Sequence, residues 1–110
     1  MEELLELKKL NGYLSKALEE YKTRGRAYAQ AYKNYRMLLS KKLLELKADG
    51  IPVTIAYDVA RGDEVVANAK EQEIITECLY KSCQEAINTY KLQIKILKEN
   101  IDKEYQNIER

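Results

Sequence analysis

The chain has no histidine, one proline, four glycines and two cysteines in 110 residues. The missing histidine removes the commonest general base, the Ser-His-Asp arrangement and every HExxH zinc site. Cys78 and Cys83 are not spaced as CxxC, so neither a zinc ribbon nor a thioredoxin-type redox site fits. On a helix they lie roughly 140° apart and cannot bridge each other. Two isolated thiols suit a reducing cytoplasm. No P-loop and no GxGxxG is present. The acidic residues Glu71, Glu73, Glu77 and Glu85 read as a solvated helix face, with Glu73 at a core position, and not as metal ligands. An enzyme is not expected, and neither is a metal or a cofactor.

Long apolar runs are missing too. None approaches the roughly 18 residues that a membrane span needs. The first residues include Glu2 and Glu3, with no basic-then-apolar leader pattern. The expectation is a cytoplasmic protein without membrane association. Apolar content of 45% with 34% charged residues fits one globular or coiled-coil domain, too apolar for a disordered chain. The scarcity of Gly and Pro permits long helices. No stretch alternates with period two, so strands are not expected.

What is present is a heptad pattern. With Leu4 at position a, the a and d positions read Leu4, Leu7, Asn11, Leu14, Leu18, Tyr21, Gly25, Tyr28, Tyr32, Tyr35, Leu39, Lys42 and Leu46. A second run starts near Val66 and includes Ala69, Glu73, Thr76, Tyr80, Cys83, Ile87, Tyr90, Ile94, Leu97 and Ile101. Leu10, Ala17, Ala31 and Leu38 widen the first stripe, and Val65, Leu79 and Ala86 the second, beyond a two-stranded seam. Asn11-Gly12 is a turn signal inside the first run, but the register crosses it unbroken, so one continuous helix is expected.

Between the runs, Gly50 suits a left-handed position just past a helix end, with Pro52 beyond it. Thr54 is expected to cap a short helix over residues 55–61. Gly62 would end that helix and Asp63 would cap the next, with Glu64 in its first turn. The alternative is one helix from Thr54 running through Gly62. The tripeptide Arg61–Asp63 matches an adhesive RGD motif, but the same residues are what a helix junction requires. The fold expected is all-α: a single-domain antiparallel helical hairpin with arms at 2–48 and 64–109 and a hinge at 49–63. Two arms alone cannot bury stripes this wide. A homodimer or higher bundle is therefore expected, with Leu14, Leu18, Tyr21, Tyr28, Tyr32, Tyr35, Tyr80, Ile87, Tyr90 and Ile94 at the oligomer interface.

Charge is uneven. Residues 21–42 hold seven Lys or Arg and no acid, leaving 12 bases and 18 acids elsewhere. At about 100° per residue, Lys22, Arg26, Lys33 and Arg36 fall within roughly 80° of arc. Arg24 lies apart, across the edge of the apolar face. In a hairpin closing near residue 55, residues 21–30 would sit beside about 81–90. The second arm has no acid from Ala86 to Lys98 but carries Lys91, Lys95 and Lys98. Lys22, Arg24, Arg26, Lys33, Arg36, Lys91 and Lys95 are therefore the candidate phosphate or nucleic-acid contacts. The competing readings are a solvated face or an intersubunit contact with the acidic chain ends. The four tyrosines of this stretch sit at a or d, which favours core over a base-stacking platform. Gly25 at an a position means either close helix approach or a phosphate notch beside Arg24 and Arg26.

The segments "ADGIPVTIAYDVARGDEVVANAK", "RGRAYA" and "EAINTYKLQIKILKENID" together resemble small helical proteins of phages and prophages of Gram-positive bacteria. The resemblance covers nearly the whole chain and carries no catalytic residues onto it. The secreted WXG-type hairpins are a poorer fit, because the chain has no Trp. The resemblance implies a cytoplasmic accessory protein of an infected or lysogenic host. The function expected is an oligomeric binding protein that antagonises host defence, by occluding a defence protein or sequestering a nucleotide signal. The alternatives are a nucleic-acid-binding accessory protein of phage replication or recombination, and a structural hairpin without ligand.

Overall fold

A computed structural model describes residues 2–109. The described residues form three helices and no strand: α1 (Glu2–Ala48), α2 (Val53–Gly62) and α3 (Glu64–Glu109). The fold is the all-α helical hairpin expected from the two heptad runs. Helix α1 runs unbroken through Asn11 and Gly12. Glu2 and Glu3 occupy its first turn and Lys47 its last, so both ends match the helix dipole.

The end of α1 is set by Gly50, whose φ is +82°. The Gly50 amide donates to the Lys47 carbonyl at 3.1 Å and the Ile51 amide to the Leu46 carbonyl at 3.0 Å. This pair of bonds satisfies the last carbonyls in a Schellman motif, and Ile51 closes it by packing on the cluster that contains Leu46. Thr54 does not cap α2. Pro52 stands at the cap position and its carbonyl accepts from the Ile55 and Ala56 amides. The fixed φ of proline and its missing N–H suit it to a helix start, so α2 begins at Val53. Asp63 breaks the path with extended backbone (φ −65°, ψ 134°), which separates α2 from α3. Its carboxylate accepts from the Val66 amide at 3.3 Å and its carbonyl from the Ala67 amide at 2.8 Å, so Asp63 caps α3.

The chain divides into two compact units: Met1–Thr23 with Lys81–Arg110, and Arg24–Tyr80. In the second, Tyr28 meets Tyr80, Lys70 stacks over Tyr35 and Lys42 pairs with Asp63, so α1 and α3 run antiparallel. Its core is Tyr35, Leu39 and Leu46 of α1 with Val66 and Ala69 of α3, closed by Ala60 of α2. Ala56 and Ala60 are both buried, one turn apart, and their small side chains let α2 lie close. In the first unit, Tyr13 meets Tyr90 with ring centres 5.9 Å apart, and Ile87 and Ile94 are buried.

The facing residues differ from those expected of a reversal near residue 55. Gly25 and Tyr28 lie against Tyr80, not against residues 81–90. The reason is that α1 stops at Ala48 and the chain turns at Gly50, which moves each facing residue of α3 toward that helix's start. The acid-free stretch 86–98 is therefore not what lies opposite these residues.

Candidate binding surfaces

The basic residues of α1 fall into both units. Arg26, Lys33 and Arg36 belong to the unit Arg24–Tyr80 and are exposed. None of the three makes an ion pair among the described residues. They share about 80° of helix arc and span roughly 15 Å of rise. Arg24, in the same unit, is half-buried. Lys22, Lys91 and Lys95 belong to the other unit and are exposed there. Lys22 is paired with Glu19 at 3.3 Å, an exposed contact of small energetic weight. Of the basic set predicted as one site, Arg24, Arg26, Lys33 and Arg36 thus belong to one unit and Lys22, Lys91 and Lys95 to the other.

The space above Gly25 is filled. Tyr80 Cε2 lies 2.9 Å from where a β-carbon at residue 25 would stand. Gly25 serves close packing against an aromatic ring, and no phosphate notch is left there.

The residues expected at an oligomer interface split by burial. Tyr35, Ile87 and Ile94 are buried against their own chain. Leu14, Tyr21, Tyr28, Tyr80 and Tyr90 are half-buried, while Leu18 and Tyr32 are exposed. Large apolar residues outside the heptad positions are exposed as well: Tyr13, Met37, Leu44, Ile74, Ile75, Leu92 and Ile96.

Glu73 is the one buried charged side chain among the described residues. Lys70 reaches it at 3.2 Å, and the same ammonium lies 4.8 Å above the Tyr35 ring. Asp63 and Lys42 pair at 3.5 Å, and Arg61 stacks on Tyr57 at 5.6 Å. The Arg61–Asp63 tripeptide is thereby engaged in the junction. Among the described residues, no group of three or more Cys, Asp or Glu is placed to hold a metal ion. Among the described residues, no helix is long and apolar enough to cross a membrane.

Sequence reasoning missed an apolar groove at the hinge. Its lining is Ser40, Leu43, Leu44 and Lys47 of α1, Ile51, and Val53, Ala56 and Tyr57 of α2, around about 410 Å³. The signal was available in "IPVTIAYDVA", which is apolar on too many sides for one helix face to bury.

No known family, curated protein or solved structure matches this chain.

Proposed function

We propose that this chain is a non-enzymatic accessory binding protein that works as an oligomer of helical hairpins in the cytoplasm of a phage-infected or lysogenic host. The observation that carries the reading is the balance of its apolar side chains. Nine are buried, and 19 large ones are exposed among the described residues. Exposed apolar surface on this scale marks protein contact. Such a molecule acts by covering a partner and not by chemistry.

The resemblance to phage and prophage hairpins makes a host defence protein the partner class of choice. Occlusion of a protein suits the exposed faces better than nucleotide capture does, since a tyrosine ring fills the space above Gly25. The test is plaque formation on a defence-bearing host that expresses the chain. Restored plaquing that is lost with Tyr32→Asp, an exposed position, supports the reading. Unchanged restriction across a panel of defence systems overturns it.

One observation favours a second reading. Arg26, Lys33 and Arg36 stand exposed and without ion pairs. A row of unpaired cations on a helix tracks a phosphate backbone without reading sequence. Anisotropy of labelled single- and double-stranded DNA across a salt series tests it. Three phosphate contacts give a log–log slope of about −2 to −3, and Arg26→Glu with Lys33→Glu abolishes binding. No binding at low salt removes this reading.

A further inference from the structure

One flank of α3 carries no charge from Ser82 to Asn100. It lies wholly within the unit Met1–Thr23 with Lys81–Arg110. Ser82, Ala86, Thr89, Gln93, Ile96 and Asn100 recur at alternating steps of four and three residues. At about 100° per residue they share roughly 80° of helix arc. Lys81, Glu85, Lys91, Lys95, Lys98 and Glu99, the charged residues of the same stretch, all fall outside that arc. The flank is distinct from the stripe that holds the buried Ile87 and Ile94. Ala86 is half-buried and the other five are exposed, Ile96 at 49%. Gln93, Ile96, Leu97 and Asn100 line one side of a groove of about 410 Å³, and Glu6 and Leu10 of α1 the other. Tyr13, one turn further along α1, is 48% exposed. In a chain that is 34% charged, an uncharged flank beside an open groove has the composition of a protein contact and not of a solvated face.

The order of residues along the flank selects what covers it. When α3 packs antiparallel on a second α3 about a two-fold axis level with residue 91, Ala86 faces Ile96, Thr89 faces Gln93 and Ser82 faces Asn100. Each pair occurs twice, and none of the six residues is left over. The large side chain of Ile96 meets the smallest on the flank, so the two surfaces interdigitate. At the other two pairs a hydroxyl meets a carboxamide, and each can donate to and accept from the other. A surface that complements itself on reversal is what an isologous two-fold contact requires. The seam is about 27 Å long by helix rise, and Ser82, Ala86 and Thr89 are small enough for close helix approach.

We propose that this flank of α3 is the dimer seam, packed antiparallel on the same flank of a second copy with Ala86 against Ile96. The proposal rests on the homo-oligomer reading above and assigns the face and register of one contact within it.

The experiment traps the register and then perturbs it, using the full chain. In a Cys78→Ser, Cys83→Ala background, Ala86→Cys and Ile96→Cys are made separately and oxidised with copper–phenanthroline. A mixture of the two forms a disulfide-linked dimer. Neither alone does so, because each cysteine lies about 15 Å along the seam from its own counterpart, beyond disulfide reach. Sedimentation velocity supplies the second arm. Ala86→Glu or Ile96→Lys alone weakens self-association about tenfold or more, as a lone charge in an interface does. The two changes in one chain restore it, since each Glu then faces a Lys of the other copy. Helical circular dichroism stays unchanged throughout. If the unsubstituted chain is monomeric at every concentration, the oligomer reading and this seam fall together. If it associates but the mixture does not link, or each single-cysteine chain links to itself, the oligomer stands and this seam is wrong. Association indifferent to both charges, or not restored by their combination, likewise overturns the register.

Discussion

The ring of Tyr80 occupies the place of a side chain at Gly25, leaving 2.9 Å to the position of the missing β-carbon. Tyr28 meets the same ring, centre to centre at 6.0 Å. An aromatic wedge has replaced the notch that a glycine between two arginines suggested.

Gly25→Ala should therefore destabilise. The helix-propensity gain of about 1 kcal/mol is outweighed by overpacking of about 1–3 kcal/mol as Tyr80 is displaced. Gly12 has nothing within 4 Å of its added β-carbon. Gly12→Ala should stabilise by about 1 kcal/mol. Urea titrations of the two variants should move in opposite directions.

The same contrast marks what the sequence could tell. Periodicity made both arms legible because each buries one stripe, and Gly50 and Asp63 announced the hinge through backbone chemistry that depends on single residues. Thr54 misled because a neighbouring proline fixed the helix start before any side-chain cap was needed. The pairing of Gly25 and Tyr28 with Tyr80 was not legible: where a hairpin reverses decides every facing residue, and heptads alone leave that register open. The hinge groove was missed because it is made by three segments, of which α2 is too short to show a periodic face.

Lys70 holds Glu73 and covers Tyr35 at once. Lys70→Ala should destabilise by about 1–3 kcal/mol, because it leaves a buried carboxylate without its cation. Glu73→Leu should be neutral or stabilising, since an apolar side chain at this core position needs no partner. Thermal melts of the two single variants distinguish a charge kept for stability from one that is merely tolerated.

Asp63 caps α3 and pairs with Lys42. Asp63→Ala should cost about 1–2 kcal/mol, while Asp63→Asn keeps the cap and should lose less. Hydrogen exchange at Val66 and Ala67 should report the loss locally.

Partial burial and then the neighbouring Glu104 carboxylate hold the Glu3 carboxyl above its usual range. A carboxyl whose folded pKa is raised binds its proton more readily when folded. Its stabilising contribution is present below the unfolded pKa and is lost as pH rises through the folded one. Glu104→Gln should therefore raise the melting temperature at neutral pH, with the gain shrinking toward about pH 4. A gain that does not change with pH would assign the effect to helix propensity.

If these hairpins cover their exposed apolar faces with one another, the protein is an oligomer in solution. Light scattering coupled to size exclusion, across a hundredfold range of concentration, tests it most directly. The expected mass is at or above twice the 12.8 kDa of one chain, rising or holding with concentration. A mass of 12.8 kDa at every concentration would contradict it.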